Sequence, residues 1–264
     1  MVILITGATS GFGRAMAERL SADGHVVYGT HRHGGDFLPG VNYIVADSTV
    51  QADVEAAVSR VVESEGRIDV LINNAGMGIA GPLEYTDAED CRRQMDVNFM
   101  GMVRYVQAVL PHMRSRGKGR IVCMSSIGGL VGLPYQGVYS ASKFAVEGYC
   151  DALRLEVGRF GVSVTVLEPG DFATAFTARR KAVPVEVAGE VYKTYGRSLA
   201  SIEHDEQSGL DPEVLARRVS RIVSCRRPPR RIMVASPLQK LAVVARTLLP
   251  GRLFDWIMRV YYKM

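Results

Sequence analysis

The sequence predicts an α/β fold in which helices cover both faces of a parallel β-sheet. Short apolar runs alternate with helical patterns along the whole chain of 264 residues. The apolar runs are rich in Val and Ile and nearly continuous in hydrophobicity, which is expected of strands buried on both faces of a sheet. Regular alternation of strand and helix implies right-handed βαβ crossovers and therefore a doubly wound sheet.

Seven apolar runs are predicted to be strands, at residues 2–6, 25–30, 42–46, 68–73, 120–125, 162–167 and 232–235. Helical patterns lie between them at residues 12–23, 51–65, 87–116 and 139–160. A later helix is predicted to begin at Asp211-Pro212, because Asp is a favourable N-cap and Pro fits the first helical position. The last predicted strand follows that helix.

About forty residues separate the strand at 162–167 from the helix at Asp211, and so long a connection in a compact domain is usually functional or mobile. The connection contains four aromatic side chains, Phe172, Phe176, Tyr192 and Tyr195. We therefore predict that the segment 171–210 covers an apolar ligand.

No Pro/Ser-rich linker and no internal repeat interrupts the chain, so residues 1–236 are predicted to form one domain. Residues 237–264 are predicted to form a basic, amphipathic helical extension. Its apolar and basic residues recur at helical spacing: Leu253, Phe254, Ile257, Met258 and Tyr261, with Arg252, Arg259 and Lys263 beside them. Two interpretations fit this pattern. The extension rests in the interface of an anionic membrane, or its apolar stripe packs on the body of the protein or across a dimer.

The composition, 47% hydrophobic and 22% charged, is that of an ordinary globular protein. No apolar run approaches the roughly 18 residues that cross a bilayer, and Met1 leads directly into the first strand without a signal peptide. The four cysteines lie far apart and indicate reduced thiols in a cytoplasmic protein, with no metal site. Of the net charge of +5, residues 227–264 carry +7 and the rest about −2, which is not the spread-out basic surface of a nucleic-acid-binding protein.

A glycine-rich turn follows the first strand, in the segment Thr6-Gly7-Ala8-Thr9-Ser10-Gly11-Phe12-Gly13. Gly7 permits a tight turn, Gly11 lets the backbone approach a pyrophosphate, and Gly13 allows the helix to pack closely on the strand. Free N–H groups at the start of the helix then bind the phosphates. With a strand before it and a helix after it, the turn predicts dinucleotide binding, with Thr9, Ser10 and Phe12 also in the site.

The motifs of the chain resemble those of the short-chain dehydrogenase/reductase family. The glycine spacing from Thr6 to Gly13 is the first match, and Asn73-Asn74-Ala75-Gly76, Asn98, Ser126, Tyr139-x-x-x-Lys143 and Glu168-Pro169-Gly170 follow in the family's order. The resemblance implies a Rossmann-type, seven-stranded parallel sheet flanked by helices. It also implies a homodimer or homotetramer that associates through the helices near 97–116 and 139–160.

The resemblance assigns roles to individual residues. Tyr139 is implied to be the general acid and base, Ser126 to bind the substrate oxygen, Asn98 to hold a water that links Lys143 to solvent, and Lys143 to bind the nicotinamide ribose. Further cofactor contacts are implied at Asp47, Ser48, Asn74, Ala75, Gly76, Pro169, Gly170 and Thr174.

The end of the second strand indicates which nicotinamide cofactor binds. NAD-specific members of the family have an acidic residue there, whereas this chain has Thr30 followed by His31 and Arg32. Nothing therefore repels a 2′-phosphate, and a guanidinium pairs with it well. NADP(H) is favoured over NAD(H), with a plain solvated loop as the alternative interpretation.

A tyrosine needs help to exchange protons near neutral pH, because its hydroxyl has a reference pKa near 10. Lys143 follows Tyr139 by four residues and so lies on the same helix face one turn away. Its ammonium is predicted to stabilise the phenolate and lower the pKa of Tyr139.

The predicted substrate site is apolar and contains Ser126, Leu133, Tyr135, Tyr139, Phe172 and Phe176. This composition fits a bulky apolar carbonyl or alcohol better than a sugar. The run from Ser126 to Tyr139 resembles that of family members that handle steroids and retinoids, which implies such a substrate. The leading hypothesis is a carbonyl reductase or alcohol dehydrogenase. The alternatives are a long-chain keto-lipid reductase at a membrane surface and a non-catalytic NADP(H)-binding regulator.

Overall fold

Seven parallel strands form the central sheet of the protein, whose computed structural model describes residues 1–35 and 37–264. The nine strands in chain order are β1 (Val2–Thr6), β2 (Val26–His31), β3 (Val41–Val45), β4 (Val70–Asn73), β5 (Ile79–Ala80), β6 (Gly119–Met124), β7 (Val162–Pro169), β8 (Lys181–Ala182) and β9 (Arg231–Val234). The sheet has the order β3-β2-β1-β4-β6-β7-β9, and β5 pairs separately with β8. The strand order reverses between β1 and β4, the place where ligands bind in doubly wound sheets.

Helices cover both faces of this sheet. In chain order they are α1 (Gly11–Ala22), α2 (Gln51–Glu65), α3 (Ala88–Met95), α4 (Gly101–Ser115), α5 (Gly137–Val157), α6 (Phe176–Arg179), α7 (Val185–Ala188), α8 (Tyr195–Gln207), α9 (Pro212–Ser224), α10 (Pro237–Leu248) and α11 (Gly251–Tyr261). One core cluster packs α2, α4 and α5 on the sheet, and another packs α1 and α9 on the opposite face. The predicted doubly wound α/β fold is confirmed.

The predicted strands lie within two residues of the observed ones, because most are apolar runs that the sheet buries on both faces; the edge strands β3 and β9 are only partly buried. The helix predicted at 87–116 is broken by a π-helical turn at Asp96–Met100, between α3 and α4. A single π turn of this kind often marks a functional position in a helix. Here the turn carries Asn98.

The long connection after β7 is folded rather than an open loop. Its strand β8 pairs with β5 through Ile79 and Lys181, and Phe172 forms a bridge with Leu210 at the other end. Helix α8 buries Tyr195, whose hydroxyl donates to the Val183 carbonyl at 2.8 Å. The segment is thus attached to the body at both ends.

The C-terminal residues form two helices that lie against α8. Helix α10 starts with a capping box in which the Ser236 hydroxyl accepts from the Gln239 N–H. In α11 the side chain of Phe254 is buried, and the Ser198 hydroxyl of α8 donates to the Tyr262 carbonyl at 2.6 Å. Among the described residues, every helix is too short or too polar to cross a bilayer.

Candidate functional site

A cavity of about 1200 Å³ opens at the carboxyl edge of the sheet. Because parallel strands all end at this edge, residues far apart in sequence meet there. The residues that follow six of the strands line it: Gly7 after β1, Arg32 after β2, Asp47 after β3, Asn74 after β4, Ser126 after β6 and Gly170 after β7. The cavity therefore spans the switch point of the sheet and continues towards α10 and α11.

The glycine-rich turn forms one wall of the cavity. Gly7 has φ +68° and Gly11 has φ +49°, which is the left-handed region that glycine adopts without strain. A Cβ atom on Gly13 would lie 2.0 Å from the Gly7 carbonyl oxygen, so no side chain fits at this helix start. Asn74 braces the turn, since its Nδ2 donates to the carbonyls of Thr6 at 3.0 Å and Gly7 at 3.1 Å.

The turn lies at the N-terminus of α1, where free backbone N–H groups and the helix dipole favour an anion. Gly7, Thr9, Ser10, Gly11 and Phe12 all line the cavity, whereas Gly13 lies behind it and serves the close packing. The turn has no side chains at its glycines, so its backbone can approach a dinucleotide pyrophosphate closely.

An arginine that the sequence analysis did not single out reaches this turn. Arg179, at the end of α6, donates from Nη1 to the Ser10 hydroxyl at 2.7 Å. The two residues are 169 positions apart, so no local pattern predicts their contact. The available signal was the pair of adjacent arginines, Arg179 and Arg180, in the covering segment.

At the end of β2 the structure separates the two candidate cations. Arg32 is exposed and lines the cavity, whereas the His31 ring is buried against Phe37, with ring centroids 5.1 Å apart. Thr30 and Asp47 also line the cavity. Burial acts to raise the pKa of Asp47, but hydrogen bonds from Thr49 and the nearby positive charge of Arg32 lower it. Arg32 is therefore an exposed cation available to a phosphate at this position, while His31 also lines the cavity but is buried apart from that.

Tyr139 and Lys143 lie one turn apart near the start of α5, and both face the cavity. The Lys143 ammonium is 5.7 Å from the centre of the Tyr139 ring and donates to the Met124 carbonyl at 2.8 Å. Ser126 stands at the end of β6, where its hydroxyl accepts from the Gly128 N–H at 3.0 Å. The structure thus brings Ser126, Tyr139 and Lys143 to one wall of the cavity, as the sequence predicts.

The titration of this group differs from the sequence prediction. Burial raises the pKa of Tyr139 to about 12, even though a hydrogen bond from Ser126 acts to lower it. Burial also lowers the pKa of Lys143 to about 8. The pKa of Tyr139 therefore lies above its ordinary value, because desolvation of the phenol dominates, and the Lys143 ammonium donates to the Met124 carbonyl.

Asn98 lies beside the cavity, not on its wall. From the π turn its Oδ1 accepts the Met77 N–H at 2.8 Å, while its Nδ2 donates to the Met77 carbonyl at 3.0 Å and the Ser142 hydroxyl at 3.0 Å. A Cβ atom on Gly76 would lie 3.4 Å from Asn98 Oδ1 and 3.9 Å from Lys143 Nζ. Asn98 therefore fixes the backbone after β4 against the helix that carries Lys143.

A buried charged cluster lies behind Lys143, one turn further along α5. Arg231 of β9 pairs with Glu147 at 2.9 Å, Asp151 at 2.6 Å and Glu168 at 3.2 Å. Glu147 and Glu168 are both buried, and burial raises the pKa of Glu147 to about 7. The positive charge of Arg231 thus offsets the negative charges of carboxylates on α5 and β7. Because Arg231 belongs to β9, its ion pairs also connect α5, which carries Lys143, to the edge strand of the sheet.

The predicted substrate residues divide into two groups. Leu133, Phe172 and Phe176 line the cavity, and the Phe176 ring centre is 5.8 Å from that of Tyr139. Tyr135 is outside it, so this prediction is wrong: its ring packs 5.1 Å from Tyr195, and its hydroxyl is hydrogen-bonded to Thr194 at 3.1 Å. Tyr135 instead fastens the covering segment to the body.

Helices α10 and α11 form the far wall of the cavity, which sequence reasoning missed. Apolar side chains from both helices line it, with Leu241, Leu248 and Met258 among them. Polar groups lie between this wall and Tyr139. Asp171 accepts from Gln239 Nε2 at 2.5 Å, and burial raises the pKa of Asp171 to about 6. The remaining cofactor candidates also line the cavity: Ser48, Ala75, Gly76, Pro169, Gly170 and Thr174.

Comparison with known proteins identifies the family. The model of the family described as short chain dehydrogenase matches residues 1–183, which is more than half of the chain. The chain belongs to the short-chain dehydrogenase family. It is an oxidoreductase of that family, and its relatives bind nicotinamide cofactors.

Among its relatives, the chain is 45% identical to a 3-ketodihydrosphingosine reductase of Bacteroides thetaiotaomicron over 262 residues, which covers 99% of this chain and 97% of the relative. It is 38% identical to the human 17-beta-hydroxysteroid dehydrogenase type 1, over 78% of this chain and 67% of that enzyme. A crystal structure of a family member from Burkholderia phymatum in complex with NAD superposes with a TM-score of 0.80 at 26% identity, covering 93% of this chain and 92% of that one.

Proposed function

We propose that the protein is an NADP(H)-dependent reductase that converts the ketone of a long-chain lipid to a secondary alcohol. The observation that carries this proposal is the 45% identity to a 3-ketodihydrosphingosine reductase over nearly the full length of both chains. The matched length includes almost all of residues 237–264, which form the far wall of the cavity. A likeness confined to the dinucleotide-binding half would carry no information about the substrate.

The polar residues of the wall have separate roles in this reduction. The bound dinucleotide supplies the hydride. Ser126 donates a hydrogen bond to the ketone oxygen, and Tyr139 donates its proton to the same oxygen. A pKa of about 12 keeps Tyr139 protonated at neutral pH, which is the state a reductase needs at the start of each turnover. Lys143 stabilises the phenolate that remains after the transfer.

The preference for NADP(H) rests on the end of β2. Thr30 replaces an acidic side chain there, and exposed Arg32 lines the cavity beside it. A guanidinium in this place pairs with a 2′-phosphate, whereas NAD(H) offers it only ribose hydroxyls. We therefore expect NADP(H) to bind more tightly than NAD(H).

The likeness to a 17-beta-hydroxysteroid dehydrogenase favours a second candidate function, the interconversion of a steroid ketone and alcohol. That match covers 78% of the chain, compared with 99% for the keto-lipid reductase. The steroid function therefore ranks second.

The test is NADPH oxidation by the purified protein with a long-chain 3-keto sphingoid base, a steroid ketone and a retinoid aldehyde, repeated with NADH. We expect turnover with the long-chain ketone and NADPH. Tyr139→Phe is expected to abolish turnover while NADPH binding, measured by fluorescence, is retained. The matched control is Tyr149→Phe, because Tyr149 is a half-buried tyrosine on the same helix that lies outside the cavity. Turnover that survives Tyr139→Phe excludes the proposed mechanism and leaves a non-catalytic or different role for this residue.

A further inference from the structure

The C-terminal helices expose an unusual amount of apolar surface. Of the 22 large apolar side chains that are exposed within residues 1–35 and 37–264, ten lie in residues 237–264. Leu241 and Leu248 of α10 are 62% and 76% exposed, and Trp256 and Val260 of α11 are each 61% exposed. Scattered apolar residues are normal on a protein surface, but a contiguous group of this kind marks an interaction site.

The exposed group is distinct from the face that packs on the body. In α11 the body contacts come from Phe254, which is buried, and Met258, which is partly buried. Leu253, Trp256 and Val260 recur at intervals of three and four residues, so they share a different face of the helix. Packing on the protein therefore accounts for one side of α11 and leaves an apolar side uncovered.

Basic residues surround this surface. Residues 237–264 contain five basic side chains and one acidic side chain, Asp255. All five are exposed: Lys240, Arg246, Arg252, Arg259 and Lys263. The extension thus combines exposed apolar side chains with a net charge of +4, which is complementary to a bilayer with anionic headgroups. Tryptophan is also the residue type that favours the boundary between headgroups and acyl chains.

The exposed surface continues into the cavity. Leu241, Val244, Leu248, Ile257 and Tyr261 are each exposed and also line the cavity. Apolar side chains therefore extend from the outer surface of α10 and α11 into the cavity that also contains Tyr139. A long acyl chain that leaves a membrane along these side chains keeps its apolar surface out of water.

We propose that α10 and α11 dock on an anionic lipid bilayer and that the lipid substrate enters the cavity from the bilayer between these helices. The docking itself rests on the apolar and basic surface alone. Only the identity of the entering molecule rests on the proposed function. Docking therefore requires neither cofactor nor substrate.

Vesicle co-sedimentation of the full-length protein tests the docking. The probes are phosphatidylcholine vesicles with and without about a third of phosphatidylglycerol, at low and high salt. We expect binding to the anionic vesicles that is about tenfold weaker at high salt or without phosphatidylglycerol. Trp256→Glu with Val260→Glu should weaken it by at least about tenfold, because two charges would enter the apolar interface.

Val45→Glu is the matched control, since Val45 on β3 is 69% exposed and far in sequence from the extension. This variant should bind as the wild type does, and circular dichroism should show that all variants are folded. Wild-type protein that fails to bind anionic vesicles overturns the proposal. A Trp256→Glu, Val260→Glu variant that binds as well as wild type also overturns it. The same holds if the double variant fails to bind and changes from dimer to monomer in light scattering, because a second copy of the chain then covers this face.

Turnover separates failure of the docking from failure of the proposed function. Trp256 and Val260 do not line the cavity, so the double variant should reduce a short-chain, water-soluble ketone at the wild-type rate. The same variant should lose about tenfold in rate on a long-chain ketone presented in anionic vesicles. Equal rates of both proteins on the vesicle-borne ketone would show that the substrate does not enter from the bilayer. Absence of turnover with any ketone contradicts the proposed function and leaves the docking result standing.

Discussion

Glu147 is predicted to make the stability of the protein depend on pH. Its carboxyl group has an ordinary pKa of 4.5, which burial raises to about 7 in the folded chain. Between these values the folded state holds a proton that the unfolded state has released. The free energy of unfolding therefore falls as the pH rises from about 4.5 to about 7. At about 1.4 kcal/mol per pKa unit, this fall amounts to about 3 kcal/mol.

Glu147→Gln removes the titrating group and keeps the shape of the side chain. Arg231 retains Asp151 at 2.6 Å and Glu168 at 3.2 Å, so the remaining charges stay paired. The groups that face Glu147 also include Lys143 and the Ser125 hydroxyl, which are present in both proteins. We expect the variant to lose less stability than the wild type between pH 5 and pH 8, by about 2 to 3 kcal/mol.

Urea unfolding followed by circular dichroism at both pH values measures this difference. Asp171 also has a raised pKa, of about 6, so its titration lowers the free energy of unfolding with rising pH in the wild type and in the variant alike. Glu156→Gln on the same helix is the control, because Glu156 is exposed and should leave the pH dependence unchanged. A Glu147→Gln variant that loses as much stability as the wild type between the two pH values would refute the reasoning.

Three further predictions concern the cofactor and the assembly. Gly13→Ala should weaken NADPH binding in a fluorescence titration by about tenfold or more, because the new Cβ atom meets the Gly7 carbonyl oxygen at 2.0 Å and distorts the turn. The control Gly148→Ala places its Cβ atom in open space and should leave NADPH binding unchanged. Arg32→Gln should raise the Kd of NADPH by about tenfold and leave that of NADH nearly unchanged, and an equal effect on both would contradict a 2′-phosphate contact. Light scattering should show a dimer or tetramer that Leu155→Glu dissociates, since Leu155 and Phe144 expose apolar surface on α5; a wild-type monomer would contradict this association.

Much of the fold follows from the sequence, because the inner strands of the sheet are buried on both faces and hence almost uninterrupted in hydrophobicity. The runs at 2–6 and 162–167 lie within two residues of β1 and β7 for that reason. The two-residue strands β5 and β8 were not predictable, since a pair of residues carries no periodicity. The π turn at Asp96–Met100 was also hidden, because its apolar pattern continues that of the helices on either side.

The positions of the site residues were predictable where those residues belong to a single strand end or a single helix turn. Tyr139 and Lys143 share a helix face, and the glycine turn is local, so the sequence places these residues correctly. Contacts that depend on tertiary packing were missed. Arg179 reaches Ser10 across 169 positions, and Tyr135 turns away from the cavity to pack on Tyr195.

The pKa of Tyr139 shows a further limit of sequence reasoning. Its helix neighbour Lys143 is visible in the sequence, but the burial that dominates the titration is set by the whole cavity. Likewise, both His31 and Arg32 are candidates in the sequence, with the guanidinium the better partner for a phosphate. The structure distinguishes them because the His31 ring packs near Phe37 and Tyr43, while Arg32 stays exposed.

The far wall of the cavity has a consequence for how new specificities arise. The residues near the dinucleotide come from the first two thirds of the chain, whereas α10 and α11 are its last two long elements. The two helices meet the core chiefly through a few points, such as Phe254 and the Ser198–Tyr262 hydrogen bond. We therefore expect that exchanging the last 28 residues for those of a relative changes the substrate range without disturbing the residues at the strand ends, and such a graft is a direct route to a redesigned enzyme.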